Sequence, residues 1–272
     1  MGSSFYKGKR VVVTGAASGM GQAAARQLVG LGAEVLALDV REAADGKFIQ
    51  VDLSDRASID AAVKTIGGPV DALFSCAGLP HGPGMDPLKV FTVNFIGMRY
   101  LTEALMDVMS KGAGAVTVSS VAGMAWADNL PLLKEVMATD WDGAVAWAKA
   151  HPDYVSHKTC YTASKQCGTY YTMYKCREFT ERGLRINTVS PGPTTTGMTA
   201  TFNAANSKAY MDALRDLLGG RDATADDQAN AMIFLNDGDL ASYVNGNNLY
   251  VDAGMSSRRL VGQFNVIPKE EN

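Results

Sequence analysis

The chain has 272 residues, 47% of them hydrophobic and 19% charged, with a formal net charge of −3. Such a length can bury one substantial core, and this charge balance lacks the basic excess that gripping a phosphate backbone requires, so nucleic acid is not expected as a partner. Cys76, Cys160, Cys167 and Cys176 show neither C-x-x-C spacing nor regularly placed histidines, and no apolar run approaches the roughly 20 residues of a membrane span. The sequence therefore predicts a soluble, cytoplasmic protein with reduced thiols, no metal and no membrane association.

Residues 9–15 (KRVVVTG) read as a first strand that runs into TGAASGMG (14–21), and a helical pattern then covers 19–31. AEVLALDV (33–40) and KFIQVD (47–52) are the next strand candidates, followed by a helical pattern over 55–66. VDALFSCAG (70–78) is a strand, 88–110 a helix and GAVTVSS (114–120) a fifth strand. Within 130–150 the spacing predicts two short helices broken near Thr139, with Leu132, Val136, Trp141 and Val145 available for an apolar face. A long helix follows over 157–182, then LRINTVSPG (184–192), a helix over 225–236 and NNLYVDAG (247–254). Near-continuous apolar strands separated by helices indicate a parallel sheet covered on both faces. The expected fold is thus α/β: a single doubly wound, Rossmann-type, seven-stranded parallel sheet with a helical insertion after strand 5. It forms one dinucleotide-binding and catalytic domain over 1–272, with the insertion at 121–160 near the active site.

The turn after the first strand holds Gly15, Gly19 and Gly21, with Ser18 and Met20 flanking Gly19. Glycines there let the backbone approach a pyrophosphate, and the N-terminus of the next helix receives its negative charge. Asp39 closes the second strand about twenty residues later, where a carboxylate can accept hydrogen bonds from an adenosine ribose and repel a 2′-phosphate. NAD is therefore the expected cofactor, with Arg41, two positions on, as the counter-signal for NADP.

The stretch 154–175 contains three Tyr-x-x-x-Lys pairs: Tyr154 with Lys158, Tyr161 with Lys165, and Tyr171 with Lys175. This spacing can bring a phenol and an ammonium together on one helical face. Pro152 and the turn-like HPDY argue that the helix begins near Ser156, which leaves Tyr154 outside it. Tyr171 lies about 15 Å along the helix axis from Tyr161, so only one of the two remaining pairs can serve a given site.

The ordered motifs resemble the short-chain dehydrogenase/reductase family over nearly the whole chain. TGAASGMG matches the family's T-G-x-x-x-G-x-G turn, Asp52 and Leu53 its adenine-contacting dipeptide, and Cys76, Ala77 and Gly78 the end of its N-N-A-G. Asn94 falls where the family keeps an active-site asparagine, Ser120 closes the fifth strand, Tyr161 and Lys165 form YTASK, and NTVSPGPTTT (187–196) matches its proline–glycine segment. Two departures stand out: Ser75 and Cys76 replace the usual asparagine pair, and the stretch between Ser120 and Tyr161 is much longer than the family norm.

The resemblance implies that Tyr161 is the general acid/base, because its helix follows the strand of Ser120 in the family's order. Lys165, together with the positive charge of an oxidised nicotinamide, would lower the phenol's pKa, and Lys165 would also hold the nicotinamide ribose hydroxyls. Ser120 would stabilise negative charge on the substrate oxygen, and Asn94 would anchor a proton-relaying water. Pro191, Gly192, Thr194 and Thr196 would line the nicotinamide side, with the two threonines placed for the carboxamide. Ser119, by strand alternation, should face away from Ser120. Tyr171 and Lys175 are then expected to form a surface or interface pair.

The long stretch after Ser120 also resembles the branch of the family containing bacterial 3α-hydroxysteroid dehydrogenase/carbonyl reductases. It implies a small-molecule alcohol or ketone as substrate, such as a hydroxysteroid or another alicyclic or terpene alcohol. A catalytically inactive, dinucleotide-binding regulatory protein and a methyltransferase on a similar sheet are the rival readings, and neither explains the Ser/Tyr/Lys set. Relatives usually associate through the helices beside the insertion, so a homo-oligomer is expected, a dimer rather than a tetramer. The insertion carries all three tryptophans, Trp126, Trp141 and Trp147. It leaves the sheet after Ser120 and returns before Tyr161, so it can cap the active site or pack on neighbouring helices as an appendage.

Overall fold

The computed structural model of the protein describes residues 4–82, 84–197, 199 and 207–266. Its sheet has seven strands in the order β3-β2-β1-β4-β5-β6-β7, all paired in parallel. They are β1 (Arg10–Thr14), β2 (Glu34–Asp39), β3 (Lys47–Gln50), β4 (Val70–Ser75), β5 (Met109–Val118), β6 (Arg185–Pro191) and β7 (Asn248–Val251). Each lies within or beside its expected segment. The main difference is β5, which starts before the expected 114 and pairs Met109 with Val70 across a register shift. Its first residues are half-buried or exposed and carry no apolar run, so the sequence reads there as the tail of a helix.

Alternation along the strands sends neighbouring side chains to opposite faces and divides the core in two. Val12, Leu36, Leu38, Leu73, Ala115 and Ile186 face one cluster; Val11, Val13, Val35, Ala37, Phe74, Val116 and Val189 face the other. The helices are α1 (Gly19–Gly30), α2 (Arg56–Ile66), α3 (Pro87–Phe91), α4 (Met98–Leu105), α5 (Leu130–Met137), α6 (Trp141–Ala150), α7 (Cys160–Glu181), α8 (Lys208–Leu217), α9 (Ala225–Asn236) and α10 (Met255–Leu260). A π-helical turn, Thr92–Gly97, joins α3 to α4. α7 begins at Cys160 rather than near Ser156, because Ser156 and Thr159 bond one another and hold a run of turns before it. α8 and α10 were not expected from the sequence.

The insertion forms the two expected short helices, α5 and α6, broken between Met137 and Trp141. Leu133, Val136, Met137, Ala144, Trp147 and Ala148 join the same core cluster as α7. Trp147 packs on Phe91 at 6.1 Å between ring centroids, Trp141 meets Tyr100 at 5.4 Å and Trp126 meets Tyr170 at 5.7 Å. Arg99 of α4 donates to the Val136 and Thr139 carbonyls, and Asn129 donates to Gln166 of α7. These contacts lay the insertion over the outer side of α4 and α7.

Candidate active site

All parallel strands point their C-terminal ends the same way, and ligands in such sheets bind in the crevice beyond those ends. Here that edge opens into a cleft of about 900 Å³. Gly15, Ser18, Gly19, Met20, Asp39, Asp52, Leu53, Cys76, Ala77, Gly78, Ser120, Tyr161, Lys165, Pro191, Gly192, Thr194 and Thr196 all line it. Asn94 and Gly21 stand directly behind its wall.

The glycine turn is built for close approach. Gly15 has φ +69°, and a Cβ there would lie 2.8 Å from the Ala77 Cα. At Gly21 a Cβ would meet the Gly15 carbonyl oxygen at 2.2 Å, so the turn closes only on glycine. Thr14, one residue before the turn, accepts hydrogen bonds at 3.1 Å from the backbone N–H groups of Cys76 and Ala77 and ties the ends of β1 and β4 together. Thr14 stood inside the motif without a role of its own. Thr196 lies 3.7 Å from where a Cβ on Gly19 would be, so the two segments meet in van der Waals range at that point of the cleft wall.

Asp39 Oδ2 accepts from the Ala17 N–H and Oδ1 from the Arg41 N–H, each at 3.0 Å. The carboxylate is thereby fixed at the end of β2, while the Arg41 guanidinium donates to Ser18 Oγ at 3.2 Å across the mouth of the same pocket. Asp52 Oδ1 accepts from both the N–H and the hydroxyl of Ser54. Burial opposes ionisation of that carboxyl, but the Ser54 bonds outweigh it and hold its pKa below the usual carboxylate value. A glycine-walled approach to a helix N-terminus, with a fixed carboxylate on the neighbouring strand, fits a nicotinamide dinucleotide.

On the other side, Tyr161 and Lys165 occupy the first two turns of α7, 8% and 6% exposed. Lys165 Nζ lies 5.5 Å from the centre of the Tyr161 ring and donates to the Val118 carbonyl at 2.8 Å. Burial lowers the Lys165 pKa to about 8. Burial also raises the Tyr161 pKa, against the opposing hydrogen bond with Ser120. Among the protein's own groups, desolvation thus outweighs the Ser120 bond and leaves the phenol above its ordinary pKa. Ser120 Oγ accepts from the Ala122 N–H at 3.1 Å. Ser119 turns the other way, as expected, and donates to the Lys165 carbonyl at 2.8 Å beside Thr169. Asn94, on the π-helical turn, accepts from the Leu79 N–H at 2.7 Å and donates to the Leu79 carbonyl and Ser164 Oγ. It pins the loop after β4 to α7, beside Gly78 and Lys165.

The other two Tyr–Lys pairs lie elsewhere. Tyr154 sits before α7 and donates to Gln166 at 2.7 Å. Tyr171 is fully buried in the core, which corrects its assignment to the surface: α4 and the π-turn cover that face of α7. Its partner Lys175 is paired with Glu103 at 3.2 Å and Glu178 at 2.8 Å.

Further cleft residues carried no signal recognised in the sequence. His81 faces Tyr161 with 5.9 Å between ring centroids, and Val121, Tyr210, Met211, Leu214 and Met255 supply an apolar wall. The α8 residues could have been found from Ser207, which caps that helix, and the apolar spacing behind it. Of the two placements open to the insertion, its packing matches the appendage on neighbouring helices: Val121 and Ala122 line the cleft, none of the residues 123–160 does, and α8 forms the outer wall.

Comparison with known proteins agrees with this geometry. The family model for short chain dehydrogenases matches residues 9–131, and that for enoyl-(acyl carrier protein) reductases matches residues 134–256. A coniferyl-alcohol dehydrogenase from a Pseudomonas species is 33% identical over 92% of this chain and 97% of its own. A 3-alpha-hydroxysteroid dehydrogenase/carbonyl reductase from Comamonas testosteroni is 30% identical over 93% of this chain and 99% of its own. Among solved structures, the 3-alpha-hydroxysteroid dehydrogenase of Pseudomonas sp. B-0831, complexed with NADH, superposes with a TM-score of 0.77 at 27% identity, covering 94% of this chain and 100% of that one. With the motifs, the strand order and these relatives in agreement, the chain belongs to the short-chain dehydrogenase/reductase family of oxidoreductases. No helix among the described residues is long and apolar enough to cross a membrane, and no cluster of potential metal ligands occurs among them.

Proposed function

We propose that this oxidoreductase uses NAD to interconvert an apolar cyclic secondary alcohol, a hydroxysteroid or a terpene-like alcohol, with its ketone. The observation that carries this reading is the convergence of Ser120, Tyr161 and Lys165 on one wall of a cleft whose opposite end is the glycine turn and Asp39. The names of the two relatives above support an alcohol substrate, and the coniferyl-alcohol relative brings aryl allylic alcohols into the range to be tested.

When bound, the nicotinamide accepts hydride from the alcohol carbon or returns it to the ketone. Tyr161 Oη takes the hydroxyl proton during oxidation and gives it back during reduction. Burial keeps Tyr161 neutral at ordinary pH, which suits it to donate; Lys165, charged below about pH 8, favours the phenolate needed for the reverse step. Ser120 donates to the substrate oxygen and stabilises its developing charge. Asn94 holds the 78–81 loop and α7 in register, so that Lys165 keeps its place. Asp39, its oxygens fixed by backbone N–H groups, takes the adenosine ribose and disfavours a 2′-phosphate.

Absorbance of NADH on mixing the protein with NAD and a panel of hydroxysteroids, terpene alcohols and cinnamyl-type alcohols tests the reading. No turnover with any of them, or better kcat/KM with NADP, would refute it as stated. Asp39→Ala is expected to narrow the preference for NAD by roughly tenfold, measured as the ratio of kcat/KM for the two cofactors. The insertion over α4 and α7 supports a homodimer, because it covers the helices through which relatives associate; light scattering that shows a tetramer would count against this.

A further inference from the structure

Besides the two clusters that cover the sheet, the described residues form a third, small one. Leu214, Leu218 and Met255 are its buried members, and Val121, Tyr210, Met211, Phe264 and Val266 pack around them. Leu214 is the buried side chain of α8. Val121, Tyr210, Met211, Leu214 and Met255 line the cleft as well, whereas Phe264 and Val266 do not. The outer wall of the cleft therefore has two sides: one faces the ligand, and the other rests on the segment that follows α10. That segment is itself held. The Arg259 guanidinium lies over the Phe264 ring, 4.5 Å from its centre, and reaches Met124 Sδ at 3.9 Å, at the root of the insertion.

An element that buries so little of its own surface opens locally at low cost, so its position depends on what backs it. We propose that Phe264, pinned by Arg259, is a positioning residue for substrate specificity: it fixes the apolar wall of Tyr210, Met211, Leu214 and Met255 and so sets which ring systems the cleft accepts. It touches neither the reacting atoms nor the cofactor site. Large alicyclic ketones use the whole wall, while small ones need only the floor near Ser120 and Tyr161. The size dependence rests on the apolar-alcohol reading above; the bracing of α8 does not.

The test uses the full chain with Phe264→Ala, Phe264→Leu and Arg259→Gln. For ketone reduction with NADH across a series of increasing ring size, Phe264→Ala is expected to raise KM for the largest ketones by about tenfold and for the smallest by less than about twofold, with kcat and NADH affinity nearly unchanged. Phe264→Leu should recover most of the loss, and Arg259→Gln should show a smaller change in the same direction. A uniform KM across the series, or a loss confined to kcat, overturns the specificity role. Trypsin digestion of the NADH complex is read in parallel, because it needs no substrate. Cleavage after Lys208 and Arg215 should be several-fold faster in Phe264→Ala than in the wild type, and unchanged cleavage overturns the brace. If the wild type reduces no ketone in the series while the cleavage difference is present, the functional reading fails and the brace stands.

Discussion

Two Tyr-x-x-x-Lys pairs on α7 share a helix and a spacing but not a fate. Tyr161 and Lys165 stand where α7 meets the C-terminal edge of the sheet, with Ser120 beside them and the cleft in front. Tyr171 and Lys175 stand under α4, the phenol buried in the core and the ammonium clamped by Glu103 and Glu178. The difference teaches that spacing creates a possible acid–base pair and the sheet edge makes it reachable. Burial raises the pKa of both phenols, but only at Tyr161 does a hydroxyl partner oppose the shift; at Tyr171 the Glu103 carboxylate adds to it.

The sharpest way to break this comparison is to delete each hydroxyl. Tyr161→Phe is expected to reduce kcat/KM by roughly 10²–10⁴-fold while NADH binding stays within about twofold, as steady-state kinetics and NADH fluorescence would show. Tyr171→Phe should keep turnover within about threefold. A dead Tyr171→Phe enzyme beside an active Tyr161→Phe enzyme would exchange the two roles.

The lysines should differ in the sign of their effect on stability. Lys165 has its pKa lowered by burial to about 8 in the folded protein, so the folded state opposes the charge at pH 7. Lys165→Met is then expected to stabilise the protein by up to about 3 kcal/mol at pH 7 while losing activity. That advantage should shrink as the pH rises from about 8 through the unfolded value of 10.5, where both states are neutral. At Lys175 burial also opposes the charge, but Glu178 and Glu103 outweigh it and hold the pKa above the ordinary value. Its contribution is therefore present at pH 7 and lost only as the pH rises through the raised folded value. Lys175→Met should lower stability by less than about 1 kcal/mol at pH 7. Thermal melts of both variants at pH 7 and pH 10 decide the signs, and a destabilised Lys165→Met would end the contrast.

The smallest effect concerns the tryptophans. Trp126, Trp141 and Trp147 pack on Tyr170, Tyr100 and Phe91 rather than in the cleft, so ketone binding to the NADH complex should leave intrinsic tryptophan emission nearly unchanged. A large shift in emission maximum would show that the insertion senses the site after all.

Much of the fold was legible because its signals are local and repeated. Apolar strands separated by helices specify a parallel sheet, and Gly15, Gly21 and Asp39 identify the ends of β1 and β2 as a dinucleotide cradle. α7 was harder to read. Ser164, Lys165, Gln166, Thr169 and Thr172 are all buried, since the sheet and the insertion enclose the helix on more than one side. Its polar residues bond inward, so no amphipathic pattern marks which face meets the cleft. α8 escaped notice for the opposite reason: its apolar residues serve a small cluster of distant partners, Met255 and Phe264 among them.

By itself the sequence determined the seven strands, the helices between them other than α8 and α10, the glycine turn and the Ser120, Tyr161 and Lys165 set, because each rests on side-chain type and short-range spacing. The tertiary structure alone decided which way the insertion folds, that Tyr171 is core, that burial raises the Tyr161 pKa against its bond with Ser120, and that α8 forms the outer wall. Those outcomes depend on residues far apart in the chain sharing one space. Trp147 can pack on Phe91 or lean over a cleft with the same local pattern, and only the packing of the whole molecule distinguishes the two.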